Sequence, residues 1–256
     1  MAAPSYIATN LADGASITVS TEDSVYTKEN LYDQDLANPF KFTTGGGWIE
    51  FDLTSSQSID GVFIGGHNFV QSGFACSVKA GASPSPSSVI ATPSWADRYM
   101  IATFNAASYR YVRIEITDAQ TGDDVTEIGE IVIGDRQILP RAIRFGRKPH
   151  ILQTGVIDRT NRGKRYALEN YRLEQLTYEF RFIESELPTF RAWWEAVGGV
   201  LNPFVWMEDD SVDEALYMSI EDEGFLPQEL PDLANEAVLD YRVVLTEESV
   251  GAEIVL

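Results

Sequence analysis

The 256-residue chain is 44% apolar and 23% charged, the balance of a folded globular protein. It carries 39 Asp/Glu against 19 Lys/Arg, a net charge of −20. That charge argues against bare nucleic acid or an anionic membrane surface as a partner, because phosphate binding needs clustered cations.

Residues 1–135 read as β. Short alternating or apolar runs are separated by turn residues, without helical periods. The clearest are Trp48–Leu53, Ile59–Ile64, Phe74–Ala80, Tyr99–Phe104, Tyr109–Ile116 and Glu127–Ile133. Between them lie Gly45-Gly46-Gly47, Gly65-Gly66-His67-Asn68 and the Pro- and Ser-rich stretch 81–88. Such spacing predicts a sandwich or jelly roll. Trp48 opens its strand and reads as core. Cys76, the single cysteine, excludes an intrachain disulfide and a cysteine-based zinc site, and its apolar run marks it as a buried, inert thiol.

A domain boundary falls near residue 135, where Gly134-Asp135 ends the last of these runs. Beyond it, Ile138–Phe145 is strand-like and His150–Arg165 is polar and basic. Tyr171–Ile183 alternates as a half-buried strand. A helix is predicted near 186–197, with Ser185 as N-cap, Pro188 in the first turn and Gly198 as the stop. Its apolar face holds Leu187, Phe190, Trp194 and Val197. Asn202–Trp206 and Leu239–Leu245 then read as strands. The fold class is mainly β: a jelly-roll sandwich over 1–135, then a β-rich α+β domain over 136–256 with one main helix.

Charge divides unevenly. Residues 136–181 hold 11 Lys/Arg and 4 Asp/Glu, whereas residues 182–256 hold 2 and 18. Either these segments pair within one domain or face solvent, or a basic face on one subunit meets an acidic face on the next. The second arrangement generates rings when it closes. Candidate contacts are Arg159, Arg162, Lys164 and Arg165 on the basic side, and Glu208, Asp209 and Asp210 on the acidic side. Trp193 and Trp194 point in different directions on the helix, so one should be core. The other, taken as Trp193, would meet a neighbouring subunit.

No stretch approaches the roughly 18 apolar residues of a membrane span. The first residues lack the basic and apolar regions of a secretory signal, so synthesis in a cytoplasm is expected. Only two histidines are present, His67 and His150. With no nucleophile elbow, phosphate-binding loop or zinc-spaced histidine pair, the chain is expected to be non-enzymatic. The 208–214 acidic run fails as a calcium loop at its glycine and last-glutamate positions. Trp95, amid Pro93-Ser94-Trp95-Ala96-Asp97-Arg98, could stack on a sugar while Asp97 and Arg98 hydrogen-bond and His67 lines the surface. Alternatively Trp95 packs over the sandwich edge and His67 is a structural turn residue.

The N-terminal region resembles the discoidin family, also called coagulation-factor type C or galactose-binding-like. The residues that carry the resemblance are Asn30–Asp35, Phe40, Trp48–Leu53, Ser58–Val62, Tyr111–Ile114 and Glu127–Ile131. It implies a jelly roll with ligands at loops on one end of the sandwich. It also implies a calcium site, here from Asp33, Asn38 and Glu130. The family's Asp-Gly-Asp turn reads Asp33-Gln34-Asp35 in this chain, so the alternative is that Asp33 and Asp35 only cap a turn. The whole plan resembles a tail protein of long-tailed phages, on Gly134-Asp135, Leu173-Glu174-Gln175-Leu176, the Trp-containing helix and the Asn-Pro-Phe strand before Glu208-Asp209-Asp210. This second resemblance implies a structural component of a phage tail tip or baseplate. It would be made in the host cytoplasm, reside in the virion, and assemble as a homo-oligomeric ring or collar with other tail proteins. The alternative is a carbohydrate-binding module for host surface glycans.

Overall fold

The computed structural model describes residues 3–117, 125–140, 145–159, 165–199, 201–208, 215–221, 225, 227–230 and 238–247. Side chains are described for these except 145–149, 151–174, 228–230, 238 and 240. The strands of the first half are β1 (Ser5–Ile7), β2 (Ser16–Val19), β3 (Phe40–Lys41), β4 (Gly46–Gly65), β5 (Ala75–Gly81), β6 (Val89–Ala91), β7 (Tyr99–Thr117), β8 (Glu127–Ile128) and β9 (Glu130–Gly134). The second half contributes β10 (Gln137–Ile138), β11 (Phe145–Arg159), β12 (Arg165–Ile183), helix α1 (Leu187–Ala196), β13 (Phe204–Met207), β14 (Ala215–Ile220), β15 (Gln228–Leu230) and β16 (Val238–Glu247). No described helix is long and apolar enough to cross a membrane.

The first half is an antiparallel sandwich. Its larger sheet runs β2-β4-β7-β5-β6, with β9 also on β4, and β3 pairs with β8. β4 and β7 are long because each joins two of the predicted runs across a break in register between Asp52 and Gln57. Alternation decides what is buried. Ile49, Phe51, Val112 and Ile114 are core, together with Phe40, Phe42 and Ile128. Trp48 lies on the opposite face of its strand, half-buried under the Arg113 guanidinium, which sits 3.9 Å from its ring centroid. The expectation of a core Trp48 is corrected by the two-residue period of that strand.

The second half is one antiparallel sheet in the order β10-β1-β13-β14-β16-β12-β11, with β15 also on β16. One face packs against α1. Tyr178, Phe180, Phe182, Trp206 and Tyr241 from the sheet surround Phe190 and Trp193 of the helix. Ser185 does not cap that helix. A 3-10 turn over Glu184–Glu186 precedes it, and Glu186 accepts a hydrogen bond from the Ile183 N–H at 3.2 Å. Of the basic stretch His150–Arg165, not foreseen as a strand, residues 150–159 belong to β11 and Arg165 opens β12.

The two halves interlock. β1 leaves the sandwich and pairs with β13 and β10, so Ser5–Ile7 lie in the second sheet rather than with the rest of residues 1–135. Gly134 marks a close approach. A Cβ there would stand 2.4 Å from Ile7 Cγ2 and 2.8 Å from the Thr9 carbonyl. Asp60 anchors the crossover by accepting the Arg136 N–H at 2.6 Å. A third core joins Phe63, Tyr99, Ile101 and Val132 of the sandwich to Ile7, Val205, Met207 and Tyr217 of the second sheet.

Candidate functional site

One end of the sandwich is built by the segments after β4 and before β7. Gly66 turns the chain with φ +63°, and its N–H donates to the Arg98 carbonyl at 3.2 Å, tying the two segments together. A side chain at Gly66 would be strained there and would crowd the Leu36 carbonyl at 3.1 Å. The His67 ring then stacks on Phe69 at 4.2 Å, and Phe69 on Phe74 at 4.9 Å. Burial pushes the His67 imidazole down to about 4, against the opposing pull of Asp97 and the Ala96 backbone, so the ring is neutral at physiological pH. Its Nδ1 accepts from the Phe69 N–H at 3.4 Å.

Trp95 is half-buried against the sandwich core, and its Nε1–H donates to the Phe69 carbonyl at 3.1 Å. It lines an open cavity of about 480 Å³ with Thr92, Pro93, Ser94, Tyr99 and Thr103. The indole is thus held by one edge while the ring helps to wall the cavity. Thr92, Ser94 and Thr103 are the hydroxyl-bearing residues of the lining besides Tyr99, and exposed Asp97 follows Ala96 of the lining in sequence.

The structure brings His67, Trp95 and Asp97 together. Arg98 departs from the expected role. Its guanidinium pairs with Glu247 of the second sheet at 2.9 Å and lies over Tyr99 at 5.4 Å, so it ties the halves together. Phe69, Phe74 and Tyr99 were not among the residues expected at this site. The aromatic spacing around His67 was the available signal.

The expected calcium residues are spent on one another. Asn38 Nδ2 donates to Asp33 Oδ2 at 2.8 Å, and the Asp35 N–H to Asp33 Oδ1 at 3.0 Å. Gln34 adopts φ +65°, the conformation that glycine favours, and its N–H donates to Glu130 Oε2 at 3.0 Å. Asn10 Nδ2 reaches Glu130 Oε1 at 3.2 Å. Glu130 is 0% exposed, and its burial, reinforced by the Asp13 and Asp33 carboxylates, pushes it up to about 9. Among the described residues, no group of three or more His, Cys, Asp and Glu is arranged to hold a metal. As it stands this arrangement does not fit calcium, because amide N–H groups occupy the carboxylates where cation ligands would be needed.

Of the expected interface residues, Trp193 is 0% exposed and packs on Tyr6, Phe180 and Trp206, so it is core and not surface. Trp194 is the half-buried member of the pair. Glu208 accepts the Tyr178 hydroxyl at 2.7 Å. Arg159 and Arg165 oppose each other on the last rung of the β11–β12 hairpin. Arg162, Lys164, Asp209 and Asp210 lie outside the described residues.

No protein-family model matches the chain, and no curated protein sequence matches it. Among solved structures, those that match align over about half of this chain. Chitosan-binding module 1 of a Paenibacillus sp. IK-5 chitosanase/glucanase aligns over 49% of this chain and 98% of its own, with 20% identity and a TM-score of 0.41. The module CpGH89CBM32-6 of Clostridium perfringens aligns over 50% of this chain and 99% of its own, with 18% identity and a TM-score of 0.41. A Ruminococcus gnavus GH29 fucosidase, solved with fucose, aligns over 50% of this chain but 27% of its own, with 20% identity and a TM-score of 0.44.

Proposed function

We propose that the sandwich is a glycan-binding module whose ligand enters the cavity beside Trp95. The observation that carries this reading is the tethered Trp95 indole on the wall of an open, hydroxyl-bearing cavity of about 480 Å³. A rigid aromatic face with a few convergent polar groups is what a sugar ring needs, since its C–H faces stack and its hydroxyls hydrogen-bond. The site offers recognition groups, and the chain is taken as a non-enzymatic binding protein. Binding to a panel of bacterial surface polysaccharides tests it. Wild type should bind at least one, and Trp95→Ala should weaken that binding by about tenfold or more, the scale of one lost stacking contact. A wild-type protein that binds none of the panel overturns the reading.

A second reading is favoured by the length of the β11–β12 hairpin and the opposed charges of residues 136–181 and 182–256. It makes the chain a structural component of a phage tail tip or baseplate, made in the host cytoplasm and held in the virion with other tail proteins. The sandwich would then be the outward-facing module that touches the host. Antibody labelling of purified particles tests it. Label confined to the tail tip supports the reading, and particles free of the chain end it.

A further inference from the structure

The cavity beside Trp95 runs along the edge of a strand. Its lining takes in Tyr99, Met100, Ile101, Ala102 and Thr103 of β7 without a gap. Successive strand side chains point to opposite faces, so five consecutive residues do not all reach one cavity through their side chains. Burial agrees. Met100 and Ala102 belong to the sandwich core, and Tyr99 and Ile101 to the core at the junction of the halves. What these residues share is the edge of the strand, and the cavity meets β7 there.

The pairing register shows which main-chain groups that edge presents. Gly65 stands opposite Tyr99, and the Gly66 N–H donates to the Arg98 carbonyl. A bond between the flanking residues marks Gly65 and Tyr99 as a pair that exchanges none of its own. Hydrogen-bonded pairs alternate along an antiparallel ladder, so the bonded pairs are Met100 with Ile64 and Ala102 with Val62. Ile101 and Thr103 therefore turn their N–H and C=O groups away from β4, toward the cavity. Among the described residues no strand pairs with them on that side. β5 covers β7 only from Tyr111 to Thr117, and β6 pairs with β5. Ile101 is 5% exposed, so its main chain is largely screened from bulk water. Donors and acceptors in such a place call for partners.

The lining selects the partner. Among its described residues it has no Lys, Arg, His, Asp or Glu. It offers a uronate no cation and an ammonium sugar no carboxylate. Ala91, Pro93 and Ala96 line it too, an apolar wall that a sugar bearing hydroxyls alone leaves unmatched. An acetamido group matches each part. Its methyl suits the apolar wall, and its carbonyl accepts from an edge N–H. The N–H and C=O of one strand residue point the same way, so a hydroxyl on the neighbouring ring carbon can donate to the edge carbonyl beside it.

We propose that the glycan bound here carries an N-acetylated amino sugar, whose acetamido group docks on the open edge of β7 at the main chain of Ile101 and Thr103. This inference rests on the glycan reading above. It names the sugar class and the groups that read it.

Ligand-observed NMR titration of the full chain tests it. The probes are N-acetylglucosamine and N-acetylgalactosamine, each beside its free amine, its parent hexose and its uronate. At least one N-acetyl sugar should bind about tenfold or more tighter than its three counterparts, the scale of a hydrogen bond in a screened site. Thr103→Pro removes an edge N–H and no β4 ladder bond, a place where a strand tolerates proline. It should weaken the N-acetyl sugar by about tenfold, with near-ultraviolet dichroism unchanged. Thr103→Val keeps the main chain and should retain the preference for the acetamido sugar. N-acetyl sugars bound no better than their counterparts, or a folded proline variant that binds as wild type does, overturn this inference and leave the glycan reading standing. Should the proline variant not fold, the comparison of sugars decides alone. A wild type that binds no glycan of any kind ends both.

Discussion

Phe63 of the sandwich stacks on Tyr217 of the second sheet, with ring centroids 5.7 Å apart and planes 23° from parallel. Both are nearly inaccessible, and Tyr99 lies 5.6 Å from Phe63 on the sandwich side. The halves therefore share a core, and a single cooperative unfolding transition is expected. Phe63→Ala leaves a cavity at that junction and should cost about 3–5 kcal/mol. Denaturant titration by near-ultraviolet dichroism would read this as a lower midpoint. Two separate transitions in the wild type would contradict the shared core.

Arg98 and Asp97 are neighbours with different duties. Arg98 pairs with Glu247 at 2.9 Å, while Asp97 is exposed near His67. In the glycan reading, Asp97→Ala should weaken binding by roughly tenfold, the worth of a hydrogen bond to a charged group. Arg98→Ala should leave affinity within about twofold. The Arg98–Glu247 pair is half-exposed on the arginine side, so its loss should cost at most about 1 kcal/mol. Titration calorimetry against the bound polysaccharide, beside thermal melts, separates the two. Equal losses of affinity would place Arg98 in the site.

Cys76 is buried, and desolvation pushes its thiol up to about 12. Thiolate is the reactive form, so alkylation of the folded protein at pH 8 should be slow. The rate should rise by orders of magnitude in denaturant. Rapid native labelling would mean that the Cys76 strand opens readily.

Much of the sandwich was legible because its strands alternate. Ile49, Phe51 and Leu53 declare their inner face, and the same alternation turns Trp48 outward, although it opens the run. The union of the halves was written differently. Val62-Phe63-Ile64 and Ile131-Val132-Ile133 are unbroken apolar runs, as expected of strands buried on both faces. They signalled a second layer that residue-by-residue strand reading passes over. β1 has three residues, too few to show a period, so its place in the second sheet could not be read. At the site, His67, Trp95 and Asp97 converge because turn-forming segments at one end of a sandwich are close in space. The partner of Arg98 lies near the other end of the chain and left no local signal.

Glu130 links the Gln34 turn, Asn10 and β9 through a carboxyl with no exposure. Burial raises it to about 9 from an ordinary value near 4.5, so between those limits the folded chain holds a proton that the unfolded chain releases. Its contribution to stability is complete below pH 4.5 and is lost as pH rises through 9, by up to about 1.4 kcal/mol per pH unit. His67 acts in the opposite sense. With its folded value pushed down to about 4 from 6.5, its contribution is complete above 6.5 and is lost as pH falls toward 4. The two oppose each other between 4.5 and 6.5, and above pH 7 only Glu130 of the pair still titrates. The wild-type melting temperature should therefore fall between pH 7 and 9. Glu130→Gln, which keeps an acceptor for the Gln34 N–H and cannot ionise, should flatten that fall and melt higher than wild type at pH 9. Millimolar calcium should leave both curves in place, since amide groups already occupy the carboxylates. Parallel curves for the two proteins from pH 7 to 9 would show that Glu130 is ionised in the folded chain.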